Sequence, residues 1–162
     1  MPIAKSKLTP CLWFDHEAEA AAKFYVSLLP DSRVTAISRY GKNERMPEGL
    51  ALTVTFDLAG TEFTALNGGP HFKLTEAASL VVQCESQAEI DRLWSALLAG
   101  GGKEQQCGWL KDRYGLSWQI VPTALPAMMQ DTDPERSGRV MAAVMGMVKP
   151  DIAAIKAAYR GH

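Results

Sequence analysis

Cysteine is scarce in this 162-residue chain. Cys11, Cys84 and Cys107 are an odd number at wide spacings, with no CxxC pair. That excludes a disulfide scaffold and fits a reducing compartment. An excess of one charge is also missing, since 17 Lys and Arg against 18 Asp and Glu leave a net charge of −1. Nucleic-acid binding needs clustered cations to neutralise phosphates. The densest basic stretch, Lys149 to Arg160, holds three, so no nucleic-acid partner is expected. No apolar run approaches a membrane-crossing length of about 18 residues, and Met1 to Lys7 lack an apolar signal core. A soluble, cytoplasmic protein without a membrane partner is the expectation. Histidine is limited to His16, His71 and His162, which share no metal-ligand spacing. His16 and His162 read as surface residues; His71, after a turn, reads as an exposed loop residue or the edge of a cavity.

What is present is an ordinary globular composition, 47% hydrophobic and 22% charged. The length suits one domain, or two small modules sharing a core. Leu8 to Phe14 reads as a strand. Asp15 stands at an N-cap position, and Ala18, Ala21, Ala22, Tyr25, Leu28 and Leu29 form the apolar stripe of a helix that Pro30 ends. Strands follow over 33–40, 50–58 and 62–66, closed by the turn Asn67-Gly68-Gly69-Pro70. The pattern then starts again. Ser79 to Cys84 is a strand, and Ser86 with Glu89 forms a capping box. Ile90, Leu93, Trp94, Leu97 and Leu98 make the stripe, and Gly100-Gly101-Gly102 ends the helix. Strand-like pieces come at 103–107, 108–112 and 117–121, the last two joined by a turn at Asp112–Gly115.

The chain therefore reads βαβββ twice, an α+β fold. Two such modules predict a curved mixed sheet with helices outside and a cavity inside. The expected organisation is one domain over 1–162, with modules at about 7–70 and 77–122 and a helical tail at about 124–160. In the tail, Pro134 opens one helix, with Val140, Met141, Val144 and Met145 as its stripe. Asp151 caps another, carrying Ile152, Ile155 and Ala158. This tail either covers its own domain or packs in a dimer.

Three strings carry a family likeness: LTPCLWFDHEAEAAAKFY, ALNGGPHFKLTEAASLVVQCESQAEIDRLW and QCGWLKDRYGLSWQIVPTALP. They resemble the PhnB-like branch of the vicinal oxygen chelate superfamily, which has the glyoxalase/bleomycin-resistance/dioxygenase fold. The resemblance covers roughly residues 7–160. It implies paired βαβββ modules and a homodimer. Members are often labelled 3-demethylubiquinone-9 3-methyltransferase. Metal-using members place four ligands on the first and last strands of the two modules. Carried onto this chain, those positions fall at about Thr9, Asn67, Ser79 and Gln119. None is His, Glu or Asp, and amide oxygens alone bind divalent metals weakly. The expectation is a site with no metal and no cofactor.

Gln119 then poses a question, because a glutamine sits at the centre of an apolar strand. By alternation it shares a face with Ser117 and Val121, while Trp118 and Ile120 face the other way. It either reads a ligand or bonds neighbouring strands and water. Trp13, Asn67, Gln83, Trp109 and Gln119 are the candidate ligand-binding residues for a small organic molecule. Trp94 and Trp118 read as core, and all three cysteines read as buried and inert. No catalytic residue is assigned. No Ser-His-Asp or paired-carboxylate set stands out, and neither strand–helix junction has the Gly-rich turn of a dinucleotide-type donor site. An enzyme with an unusual site and a purely structural dimer remain the alternatives.

Overall fold

The computed structural model describes residues 6–162. Residues 1–5, which hold most of the segment read for a signal core, lie outside the described residues. The first unit ends at Leu74 and the second runs Thr75–His162. Each contains one βαβββ module, and the three tail helices belong to the second.

In the first unit, β1 (Cys11–Phe14), α1 (Ala18–Val26), β2 (Arg33–Arg39), β3 (Ala51–Leu58) and β4 (Thr61–Asn67) follow in order. The sheet runs β1-β4-β3-β2, with β1 parallel to β4 and the other pairs antiparallel. Strand alternation sends Leu12, Phe14, Val54, Phe56, Phe63 and Ala65 to the α1 side, where all are buried. Ala18, Ala21, Ala22 and Tyr25 meet them from the helix. Tyr25 and Phe56 lie 6.4 Å apart and Phe56 stacks on Phe63 at 5.5 Å.

The second unit repeats this with β5 (Ser79–Cys84), α2 (Gln87–Leu98), β6 (Lys103–Glu104), β7 (Trp109–Lys111) and β8 (Ser117–Pro122). Its order, β5-β8-β7-β6, is the order of the first sheet. The α+β reading of two repeated modules holds, and each module contributes one four-stranded mixed sheet. Leu110, Trp118, Ile120 and Cys84 are buried with Ile90, Leu93, Trp94 and Leu97 of α2. The Ser86 side chain accepts from Glu89 N at 3.1 Å, and the Glu89 carboxylate accepts from Glu85 N at 3.0 Å. Asp112, a turn residue as read, is buried. It accepts the Trp118 indole N–H at 2.9 Å and the backbone N–H groups of Tyr114 and Leu116.

The tail forms α3 (Leu125–Met129), α4 (Pro134–Met145) and α5 (Ile152–Arg160). Leu125, Val140 and Ile155 make its core, with Val121 of β8 packed against them. Of the two expected roles for the tail, the structure shows it packed within the second unit. Its backbone also holds the turn before β7, where Cys107 N donates to Met147 O and Gly108 N to Val148 O, both at 2.8 Å. Cys107 adopts φ 60° and Gly108 φ 81°, so the expected strand over 103–107 stops at Glu104. Among the described residues no helix is long and apolar enough to cross a membrane.

Two details differ from the sequence reading. Helix α1 is not capped by Asp15. It begins at Ala18, and the Ala18 N–H is received by Asn67 Oδ1 of β4 at 2.8 Å. Of the three cysteines only Cys84 is buried, where burial pushes its thiol up to about 12. Cys11 stands exposed on the edge strand β1 and Cys107 half-buried in the turn.

Asn67 also donates to Ala51 O at 2.9 Å. Replacing it with Ala orphans two buried backbone groups, and Asn67→Ala is expected to lower stability by about 2–4 kcal/mol in urea unfolding. A second expectation concerns Glu19 on α1. Arg39 and Lys23 hydrogen-bond its carboxylate and hold it from its ordinary 4.5 down to about 2. A depressed carboxyl stabilises the fold above its unfolded value and loses that contribution as pH falls through the folded one. The advantage of wild type over Arg39→Gln in urea midpoint should be full above pH 4.5 and shrink toward zero near pH 2.

Candidate functional site

Each sheet has one face covered by its helix, and the opposite, far face carries the alternate side chains of each strand. On the far face of the first sheet, register places Cys11 and Trp13 of β1 beside Thr64 and Leu66 of β4, then Thr53 and Thr55 of β3 and Ala36 and Ser38 of β2. Hydroxyls dominate this face. Ser38 Oγ and Thr53 Oγ1 lie 2.6 Å apart, and just before β1 Thr9 Oγ1 donates to Glu62 Oε1 at 3.3 Å.

Trp13 stands on this far face, half-buried, but its indole is engaged locally. Nε1 donates to Gly69 O at 2.9 Å, and Phe72 meets the ring edge-on at 4.9 Å. A Cβ at Gly68 would lie 2.2 Å from Trp13 Cζ2, so only glycine fits under the indole. Asn67 takes the other face. It pairs in register with Phe14, one residue past the Trp13–Leu66 pair. Its carboxamide is buried between Ala18 N and Ala51 O. The expectation that Asn67 lines a ligand face together with Trp13 is therefore corrected: strand alternation turns it under α1, where both its polar ends are engaged. The far-face positions of β4 are Glu62, Thr64 and Leu66.

The second sheet brings more of the expected residues together. Its far face forms two rows across three strands. One row is Lys111 (β7), Ser117 (β8) and Ser79 (β5); the next is Trp109, Gln119 and Val81. Gln119 shares this face with Ser117 and Val121, and its Nε2 donates to Ser79 Oγ at 2.9 Å. Trp109 is its direct register partner. Gln83 lies on the same face but further along the edge strand β5, exposed and opposite Val121. Thus Trp109 and Gln119 are neighbours and Gln83 stands apart at the sheet edge.

Several residues of this face were not among the candidate ligand-binding residues. Ser117 is fully buried, and its Oγ has no hydrogen-bond partner among the described residues. Lys111 Nζ lies 2.6 Å from Glu76 Oε1, which also accepts from Gln105 Nε2 at 3.0 Å. The Lys111 hydrogen bond, with help from Glu76's own backbone N–H and from Gln105, holds the Glu76 carboxyl down at about 2. The signal for Lys111 was its i, i+2 spacing from Trp109. Nothing in the sequence pattern announced Glu76. Val121 of the same face is covered by the tail core.

The sequence model of a family described as 3-demethylubiquinone-9 3-methyltransferase matches residues 6–121. Among solved structures, the PhnB protein from Bacillus cereus is 37% identical and aligns over 73% of this chain and 100% of its own, with TM-score 0.68. A protein from Pseudomonas aeruginosa is 21% identical over 72% of this chain and 97% of its own, with TM-score 0.60. The fosfomycin resistance protein FosX from Listeria monocytogenes, in complex with Mn(II) and sulfate, shares the fold at 12% identity, over 79% of this chain and 98% of its own, with TM-score 0.52. No curated protein matches the chain.

The Mn(II) of FosX prompts a test of the donors here. Of the expected ligand positions, the first unit offers the Thr9 hydroxyl, bonded to Glu62, and the Asn67 amide, engaged with Ala18 N and Ala51 O; the second offers the Ser79 hydroxyl with the Gln119 amide. Neither pair is a donor set for a divalent ion, which is held by several imidazole or carboxylate groups. Among the described residues no three His, Cys, Asp or Glu side chains converge. The far faces offer hydroxyl, amide and indole groups, which are able to hydrogen-bond and to stack. The matched segment and the Bacillus cereus relative carry the assignment: this chain belongs to the PhnB-like, 3-demethylubiquinone-9 3-methyltransferase family.

Proposed function

We propose that this protein binds a small organic molecule, without a metal, against the far face of its second sheet. The observation that carries the reading is the buried Ser117 hydroxyl, unpartnered beside the Gln119–Ser79 hydrogen bond and one strand from Lys111. A buried hydroxyl without a partner is costly, and such groups are rare unless something else satisfies them. Trp109 and Val81 supply apolar surface along the same rows, a mixture that suits a ligand with a flat or apolar body and one polar end.

A second reading, methyl transfer from S-adenosylmethionine, is favoured by the description of the family model. Titration with S-adenosylmethionine separates the two; the binding reading expects no saturable heat.

Ser117→Ala removes the unpartnered hydroxyl. Its unliganded stability should match wild type or exceed it by up to about 1 kcal/mol in urea unfolding. A marked loss would show that Ser117 already has a structural partner. The binding reading itself is checked by thermal shift against a library of small organic fragments. A ligand at a hundred times its Kd adds about 2.7 kcal/mol, or about 5–10 °C for a chain of this size. Hits on wild type should lose most of that shift in Gln119→Leu and Trp109→Ala. Hits that keep their full shift in both variants would place binding elsewhere and end the proposal.

A further inference from the structure

The far face of the second sheet already holds one carboxylate, and it belongs to the protein. Glu76 comes from the turn just before β5 and sits on Lys111, with its side chain about half exposed at 48%. Its Oε1 receives both Lys111 Nζ and Gln105 Nε2, while the hydroxyl of Ser117, the direct register partner of Lys111, remains unmet. Directly opposed residues bring their Cβ atoms within about 4.5–5.5 Å. An ammonium and an unpartnered hydroxyl at that spacing suit the two oxygens of one carboxylate, with Lys111 on one and Ser117 donating to the other. The register partner of Lys111 on the outer side is Lys103, so the row is cationic toward the sheet edge. The neighbouring row, Trp109–Gln119–Val81, is largely apolar and runs parallel to it.

Resting on the binding reading above, we infer that the ligand is a small organic carboxylate. Its carboxylate displaces Glu76 from Lys111 and also reaches Ser117, and its apolar or aromatic body lies along Trp109 and Val81. Glu76 is then an internal competitor that holds Lys111 in place while the face is empty. An incoming carboxylate competes because it satisfies the Ser117 hydroxyl, which Glu76 leaves unmet. The exchange swaps one anion for another on the same ammonium and turns the Glu76 carboxylate, still charged, out toward water.

The probe is benzoate, with benzamide as its neutral counterpart, titrated by ligand-observed NMR against wild type, Glu76→Gln and Lys111→Met. Glu76 is exposed and Lys111 half-buried, and thermal unfolding confirms that each variant is folded. Benzoate should bind Glu76→Gln about two- to fivefold more tightly than wild type, the worth of one half-exposed ion pair released. It should bind Lys111→Met at least about tenfold more weakly than Glu76→Gln, because a charge-assisted hydrogen bond is gone. Benzamide should respond to neither change. Equal responses of benzoate and benzamide, or no benzoate binding to Glu76→Gln, would overturn the carboxylate assignment. The parent reading fails separately: it falls only if neutral and anionic fragments alike are insensitive to Gln119→Leu and Trp109→Ala.

Discussion

Each βαβββ unit has one module helix and a sheet with two faces. That imbalance governs the rest of the structure. A sheet buries one face under a helix readily, since strand alternation collects the apolar residues on one side. In the first unit α1 takes Phe14, Val54, Phe56 and Ala65; in the second α2 takes Leu110, Trp118 and Ile120. The opposite faces receive what remains: Thr53, Thr55 and Thr64 in one, Ser79, Ser117, Gln119 and Lys111 in the other. Polar groups on a half-buried face must be satisfied. Most are, by Ser38–Thr53, Thr9–Glu62, Gln119–Ser79 and Lys111–Glu76. The Ser117 hydroxyl has no partner among the described residues, and the functional reading starts there.

The helices are held in place by buried side chains reaching far along the chain. Asn67 links β4 to the first turn of α1 and to β3 with two hydrogen bonds. Asp112 does similar work in the second unit, gathering Trp118 and the turn that precedes β8. The tail adds a constraint of its own. Residues beyond 121 lie outside the family match. They cover Val121 at one end of the far face and pin the 107–108 turn through Met147 and Val148. Trp109 follows that turn directly. The tail therefore fixes the strand that carries both Trp109 and Lys111, and it covers the Val121 end of the face.

The order of elements was legible because it depends on local signals: apolar periodicity, the Ser86–Glu89 capping box, and the turns at 67–70 and 112–115. The errors came from contacts distant in sequence. Asp15 looked like the cap of α1, yet the acceptor at Ala18 N is Asn67, from another strand of the sheet. Asn67 looked like a ligand residue because it ends β4 at a family-like position; one step of strand alternation turned it under the helix. Parity within a single strand was readable, so Gln119 landed beside Ser117 and Val121 as expected. Parity between strands was not, because register depends on loop lengths and bulges that carry little sequence signal. Lys111 could have been found from its spacing to Trp109. Glu76 and the empty hydroxyl of Ser117 emerge only in three dimensions.

The central claim is that the far face of the second sheet, and not the helix side, is the ligand face. The most direct measurement is a backbone and side-chain NMR chemical-shift map recorded as a binding fragment is added. The account predicts that the largest perturbations fall on the Trp109 indole, the Gln119 carboxamide, Val81 and Ser117. Shifts centred on α2, or on the exposed face of α4 around Met141 and Met145, with the Gln119 and Trp109 signals unmoved, would contradict it.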